Sequence, residues 1–123
     1  MEKLIYLFYM IFCHIVDDYY LQGWLASAKQ KQWWKDNAPQ ELYKYDYIMA
    51  LFMHAFSWTF MVMLVPSIVC STWYPILFIG HMCLHAFIDN EKANRKTINL
   101  VTDQFSHLVQ IISIWCTYFI FKR

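Results

Sequence analysis

Glycine and proline are scarce in this 123-residue chain, with two of the first and three of the second. So small a supply argues against turn-rich sheet architectures and low-complexity linkers, and it leaves few places where a helix must stop. Charge is thin as well, at 15% of residues, and nearly balanced at +1, so no broad basic surface exists to hold nucleic acid. The four cysteines include no CxxC pair. All lie in or beside apolar runs and read as small buried hydrophobes rather than a thiolate metal site.

What the chain does have is apolar and aromatic: 59% and 20% of its residues, well above the usual share in a soluble domain. Four apolar runs, at about 4–25, 45–65, 73–90 and 98–121, are each close to the roughly 20 residues with which a helix crosses about 30 Å of hydrocarbon. The expected fold is one all-α domain, an integral membrane four-helix bundle. Asp17 and Asp18 exclude a signal peptide for the first run, because two adjacent carboxylates do not fit its apolar segment. Pro66 and the stretch 67–72 are expected to turn the chain after the second run. Between helices one and two, residues 26–44 hold Lys29, Lys31, Trp33, Trp34, Lys35 and Lys44, the composition of a short interfacial segment lying against headgroups.

Lysine and arginine set the expected orientation. Segment 26–44 and the short turn 91–97 carry seven of them, against Lys3, Lys122 and Arg123 on the other side. The positive-inside rule then puts both connections in the cytoplasm and both termini outside, in a bacterial inner membrane or its equivalent.

All five histidines fall inside expected helices, where an ionisable group is costly and marks a functional site by default. Three have an aspartate four residues away: His14 with Asp18, His85 with Asp89, and His107 with Asp103. That spacing sets both side chains on one helix face. Random placement of six aspartates would give about half such a pair, so three point to a shared site. His14 and Asp18 come late in helix one, His85 and Asp89 late in helix three, His54 early in helix two, and Asp103 and His107 early in helix four. Alternate helices run in opposite directions, so all seven are expected in the cytoplasmic half, where a bundle can converge on one centre.

Buried His–Asp pairs that fix helix packing are the plainer reading, but seven ionisable groups at one depth ask for a cation. A mixed imidazole and carboxylate set suits zinc first, then manganese or iron, as one or two divalent ions. His14, Asp18, His54, His85, Asp89, Asp103 and His107 are the expected metal-site residues. Asp103, Asp18 and Asp89 double as candidates for a catalytic base. Asp17, three residues from His14, is the alternative to Asp18. Gln22, Gln104 and Gln110 would brace a ligand, bind substrate or join helices, and His81, a turn deeper, is expected outside the ligand set.

His14-x3-Asp18-x2-Leu21-Gln22, the lone His54, His85-x3-Asp89 and Asp103-Gln104-x2-His107 together resemble a small bacterial and phage membrane-protein family catalogued as a domain of unknown function, number 3307. More distantly the chain is similar to membrane-bound metal-dependent hydrolases, which also place His and Asp on short hydrophobic helices, although it lacks paired histidines near its start. That similarity implies hydrolysis without naming a substrate. The function expected from all of this is metal-dependent hydrolysis at the cytoplasmic leaflet, of a phosphoester or another polar-headed small molecule or lipid. A metal-ion or proton transporter and a metal-stapled interaction protein are the alternatives. The lipid bilayer is the expected partner, and a homo-oligomer stays open.

Overall fold

The computed structural model describes residues 2–121; Lys122 and Arg123, two of the three basic residues counted for the outer side, lie outside the described residues. The described chain is all-helical and contains no strand. Helix α1, Glu2–Val16, runs on into a π-helical turn, Asp17–Leu21. Gly23, at a φ of +52°, then swings the chain aside into two short helices, α2 (Leu25–Ala28) and α3 (Lys31–Asn37). After a 3-10 turn, Glu41–Tyr43, come α4 (Asp46–Val69), α5 (Pro75–Asn90) with its own π-helical turn (Glu91–Arg95), and α6 (Leu100–Phe119).

The four long helices pack together, α4 against α1 and α5, and α6 against all three. At one end Lys3 Nζ donates to the Phe119 carbonyl at 2.8 Å, and Trp115 Nε1 donates to the Lys3 carbonyl at 2.8 Å. At the opposite end Asn94 clasps the α2–α3 connection, accepting from the Lys31 amide at 2.6 Å and donating to the Lys29 carbonyl at 3.0 Å. The stretch between α1 and α4 is further bound by an aromatic group in which Trp24, Trp33 and Trp34 meet edge to face and Trp34 Nε1 donates to the Ala28 carbonyl.

Polarity in the bundle is inverted relative to a soluble protein. Exposed positions are large and apolar on every long helix, including Phe8 and Phe12 on α1, Met53 and Phe56 on α4, Ile79 and Phe87 on α5, and Val101 and Phe105 on α6. Histidines 14, 54, 81, 85 and 107 and aspartates 17, 89 and 103 are instead buried. Met10, Trp58, Val62, Met63, Ile111, Ile114 and Tyr118 form the apolar core beside them. Two helical stretches are long and apolar enough to cross a membrane, Glu2–Leu21 with a mean hydropathy of 1.3 and Glu41–Val69 with 1.9. Four were expected. The α5 helix has only 16 residues, and the 20 of α6 include Asp103, Gln104, His107 and Gln110, so inward-facing polar groups dilute its hydropathy.

Several boundaries differ from the sequence expectation. Pro66 does not turn the chain but sits inside α4, one turn from its end, where its missing amide costs a single hydrogen bond and its carbonyl still accepts from Cys70 at 3.0 Å. The turn comes at Ser71, with φ +48°, and Pro75 opens α5 where no amide partner is needed. Residues 91–95 remain helical and stop at Lys96, whose φ is +56°. Asn99 caps α6, its side chain accepting from the Thr102 amide at 2.9 Å. Of the cysteines only Cys13 is buried, and Cys83 is exposed on α5.

Gly23 ties helix α1 to the connection that covers one end of the bundle. A Cβ there meets only the Leu21 carbonyl at 3.9 Å, so Gly23→Ala costs backbone strain alone, about 1–2 kcal/mol. Faster amide exchange in residues 24–37, with exchange in α4 unchanged, is the expected result.

Candidate metal centre

The π-helical turn at the end of α1 explains why two consecutive aspartates can both enter the interior. An α-helix turns about 100° per residue, and the widened turn brings neighbouring side chains to a smaller angle, so that both aspartates reach His54 of α4. Asp17 Oδ1 accepts from Ser57 Oγ at 2.5 Å, and its Oδ2 lies 3.5 Å from His54 Nδ1. Asp18 lies 3.2 Å from His54 Nε2 through Oδ1 and 3.5 Å from His14 Nδ1 through Oδ2. The choice between Asp17 and Asp18 thus disappears: both join the cluster.

Asp89, from the last turn of α5, is its hub. Its Oδ2 lies 3.4 Å from His54 Nε2, while its Oδ1 lies 3.3 Å from His107 Nε2 and 3.8 Å from His85 Nε2. Asp103 Oδ1 is 3.3 Å from His107 Nε2. The rings of His85 and His107 are 4.2 Å apart between centroids, and those of His54 and His85 5.1 Å. Asp18, His54 and His85 form one group that could hold a metal ion, and His85, Asp89 and His107 form another, the candidate ligand atoms within each lying within 4.8 Å of one another.

Hydrogen-bond chemistry decides what these atoms can do. Gln110 donates from Nε2 to the His81 carbonyl at 3.2 Å, which turns its Oε1 toward His107 Nδ1 at 3.2 Å. That oxygen can only accept, so His107 carries its proton on Nδ1 and, as a neutral ring, points the Nε2 lone pair at two carboxylates. Lone pair against carboxylate is repulsive unless a cation stands between them. The buried atoms His54 Nε2, both nitrogens of His85, His107 Nε2, Asp18 Oδ1 and Asp103 Oδ1 all lack a hydrogen-bond partner. Protons on several adjacent imidazoles would repel one another, so a shared divalent cation fits this donor set better.

His14 is held differently. Trp58 Nε1, which can only donate, gives its hydrogen to His14 Nδ1 at 2.8 Å, and His14 Nε2 then donates to Gln104 Oε1 at 3.0 Å. Gln104 Nε2 in turn donates to Asp103 Oδ2 at 3.0 Å. Both ring nitrogens of His14 are therefore engaged, and it belongs to neither metal-holding group. His81 is buried at the side, beside Gln110, and also stands outside them.

Two lysines counted only for orientation are part of the site. Lys29 donates to Asp89 Oδ2 at 2.6 Å and Lys92 to Asp103 Oδ2 at 2.7 Å. Partial burial disfavours the Lys92 charge, but Asp103 outweighs that and raises its pKa above the ordinary lysine value. With all four aspartates ionised, the two ammonium groups leave two negative charges uncompensated, the charge of one divalent ion. Nothing in the local sequence marks either lysine, since Lys29 and Asp89 are 60 residues apart. Trp58 escaped notice too, although it stands one turn from His54 and stacks on His85 at 4.2 Å.

Trp58→Phe keeps an aromatic ring against His85 but removes the hydrogen given to His14, leaving a buried acceptor unpaired at a cost of about 1–3 kcal/mol. Nitrogen NMR of the histidine rings should show the proton of His14 fixed on Nε2 in the parent protein and shared between tautomers in the variant.

No curated protein and no solved structure matches the chain. The family model described as "Protein of unknown function (DUF3307)" matches residues 6–123, which include each histidine and aspartate of the cluster, and the chain belongs to that family.

Proposed function

We propose that this protein is a membrane-embedded, metal-dependent hydrolase that works from the cytoplasmic leaflet on a phosphoester or other polar-headed substrate. The observation that carries the reading is His107 Nε2, buried without a hydrogen-bond partner and 3.3 Å from both Asp89 and Asp103. The inverted polarity supports the bilayer: all four long helices turn large apolar side chains outward, although among the described residues two helical stretches alone are long and apolar enough to cross. Four crossing helices would set the α2–α3 connection and the Glu91–Arg95 turn on one side, which the positive-inside rule makes cytoplasmic.

Asp18, His54, His85, Asp89 and His107 would hold the ion, with Asp89 bridging between histidines of three helices. A bound divalent ion supplies Lewis acidity and lowers the pKa of water toward neutrality. Asp103 is the proton acceptor in this reading. Lys92 and Gln104 fix its Oδ2, and Oδ1 keeps a free lone pair beside His107. Gln110 sets the tautomer of His107, the service that outer residues give to metal-binding histidines. A transporter would need polar groups through the whole bundle, whereas the interior beyond Trp58 is filled by Val62, Met63, Ile111, Ile114 and Tyr118.

Detergent-purified protein is expected to carry about one equivalent of zinc, manganese or iron, the amount that closes the charge deficit. His54→Ala and His85→Ala should lower that content with helicity intact, and His81→Ala should not. Asp103→Asn is expected to keep the metal and lose about 10²–10⁴-fold in turnover on a phosphoester screen. Loss of metal in step with activity would make Asp103 a ligand and move the base elsewhere. Cysteines introduced as Lys35→Cys and Arg95→Cys should label from the cytoplasm, and one at Glu2→Cys from outside; labelling of all three from one side would remove the bilayer reading.

A further inference from the structure

The cluster is not sealed at its cytoplasmic end. A cleft of about 510 Å³ opens between the π-helical turn after α1, the start of the α2–α3 connection and the turn after α5, and Asp89 forms part of its floor. Three lysines line it, Lys29, Lys92 and Lys96, against the one carboxylate of Asp89. Lys29 and Lys92 reach inward to Asp89 and Asp103, while Lys96 makes no ion pair among the described residues. Gln22 lines the same cleft. Its Nε2 donates to the Asp18 carbonyl at 2.7 Å, which leaves its buried Oε1 with no donor to meet.

We propose that this cleft is a subsite for a phosphate ester with a neighbouring hydroxyl, the phosphoryl oxygens held by Lys29, Lys92 and Lys96 and the hydroxyl donating to Gln22 Oε1. The assignment deepens the hydrolase reading and rests on it for the role of the bound ester, but the contacts belong to the lysines and the glutamine. Lys29 and Lys92 each spend one of three N–H donors on a carboxylate and keep the others for a phosphoryl oxygen. Lys96 brings a charge that no carboxylate among the described residues answers, and lysine serves phosphate as a compact point charge on a flexible stem. Low-dielectric walls concentrate that positive potential at the cleft. The orphan carbonyl oxygen of a side chain that lines the cleft asks for a hydrogen-bond donor, which a glycerol- or sugar-type hydroxyl beside the phosphoryl group would supply. The closeness of Asp89 puts an ester bound here next to the groups that could hold metal.

The same chemistry is carried by a soluble ester and by a lipid headgroup, and two probes separate them. Calorimetric titration of the detergent-purified protein with glycerol 3-phosphate should show binding that weakens about fivefold or more in Lys96→Gln. Gln22→Leu should bring glycerol 3-phosphate down to the affinity of inorganic phosphate, with inorganic phosphate itself unchanged. Native mass spectrometry from mixed phosphatidylglycerol and phosphatidylcholine should show phosphatidylglycerol retained by the parent and lost in Lys96→Gln if the headgroup is the source. Metal content is measured on every sample. Binding of both probes that ignores Lys96→Gln and Gln22→Leu overturns the subsite, and its disappearance with chelator alone would put the anion on the metal, leaving the hydrolase reading in place. Lysine- and glutamine-dependent binding by protein that carries no metal sinks the hydrolase reading and keeps the subsite.

Discussion

Placing Asp17, Asp18, Asp89 and Asp103 with four imidazoles at one end of an apolar interior exposes each charge to an environment that solvates it poorly, and an unpaired buried ion costs several kcal/mol. The arrangement persists only if each negative charge has a positive partner within reach. Lys29 answers Asp89 and Lys92 answers Asp103, while Asp17 faces His54 and Asp18 faces both His54 and His14. Much of the architecture serves this balance. Each of the four long helices must turn its ionisable face inward, which leaves mostly apolar residues for the outside. The connection between α1 and α4 must fold back far enough to deliver Lys29, and Gly23 and Asn94 fix that path.

Histidine position alone would not define the chemistry, because each ring can carry its proton on either nitrogen. Here Trp58 and Gln110 decide for His14 and His107 through atoms whose roles are fixed, an indole that only donates and an amide oxygen that only accepts. The line Trp58, His14, Gln104, Asp103, Lys92 joins α4, α1, α6 and the turn after α5 by four hydrogen bonds, three running from Trp58 to Asp103 and the fourth meeting that carboxylate from Lys92. A shift of any one of these helices disturbs the carboxylate at its end.

The inward faces were legible because a four-residue spacing of His and Asp is a local property of a helix, and His14, His85 and His107 all display it. His54 could be placed by depth alone. What escaped was whatever depends on a departure from regular helix or on contacts distant in sequence. Ordinary periodicity forces a choice between Asp17 and Asp18, and the π-helical turn removes the choice. Pro66 is a strong local signal for a turn, overridden here by packing of the last turn of α4. Lys29 and Lys92 were read for their position along the chain, and only the folded connection brings the first to Asp89. His14 matched the ligand pattern as well as any histidine, and only the location of Trp58 reveals that its nitrogens are taken.

The cluster draws on α1, α4, α5 and α6, and α6 is the last of these four to be made. During synthesis the first three long helices, with Lys29 and Lys92 on the segments that follow α1 and α5, are complete before Asp103, Gln104 and His107 have arrived. Until α6 joins, Asp89 lacks the imidazole of His107 and Lys92 lacks the carboxylate of Asp103 that it meets in the finished fold. A chain cut short before Asp103 would leave Lys92 without its carboxylate and Asp89 without His107, so its defect would lie in unpaired polar groups as well as in lost apolar contact.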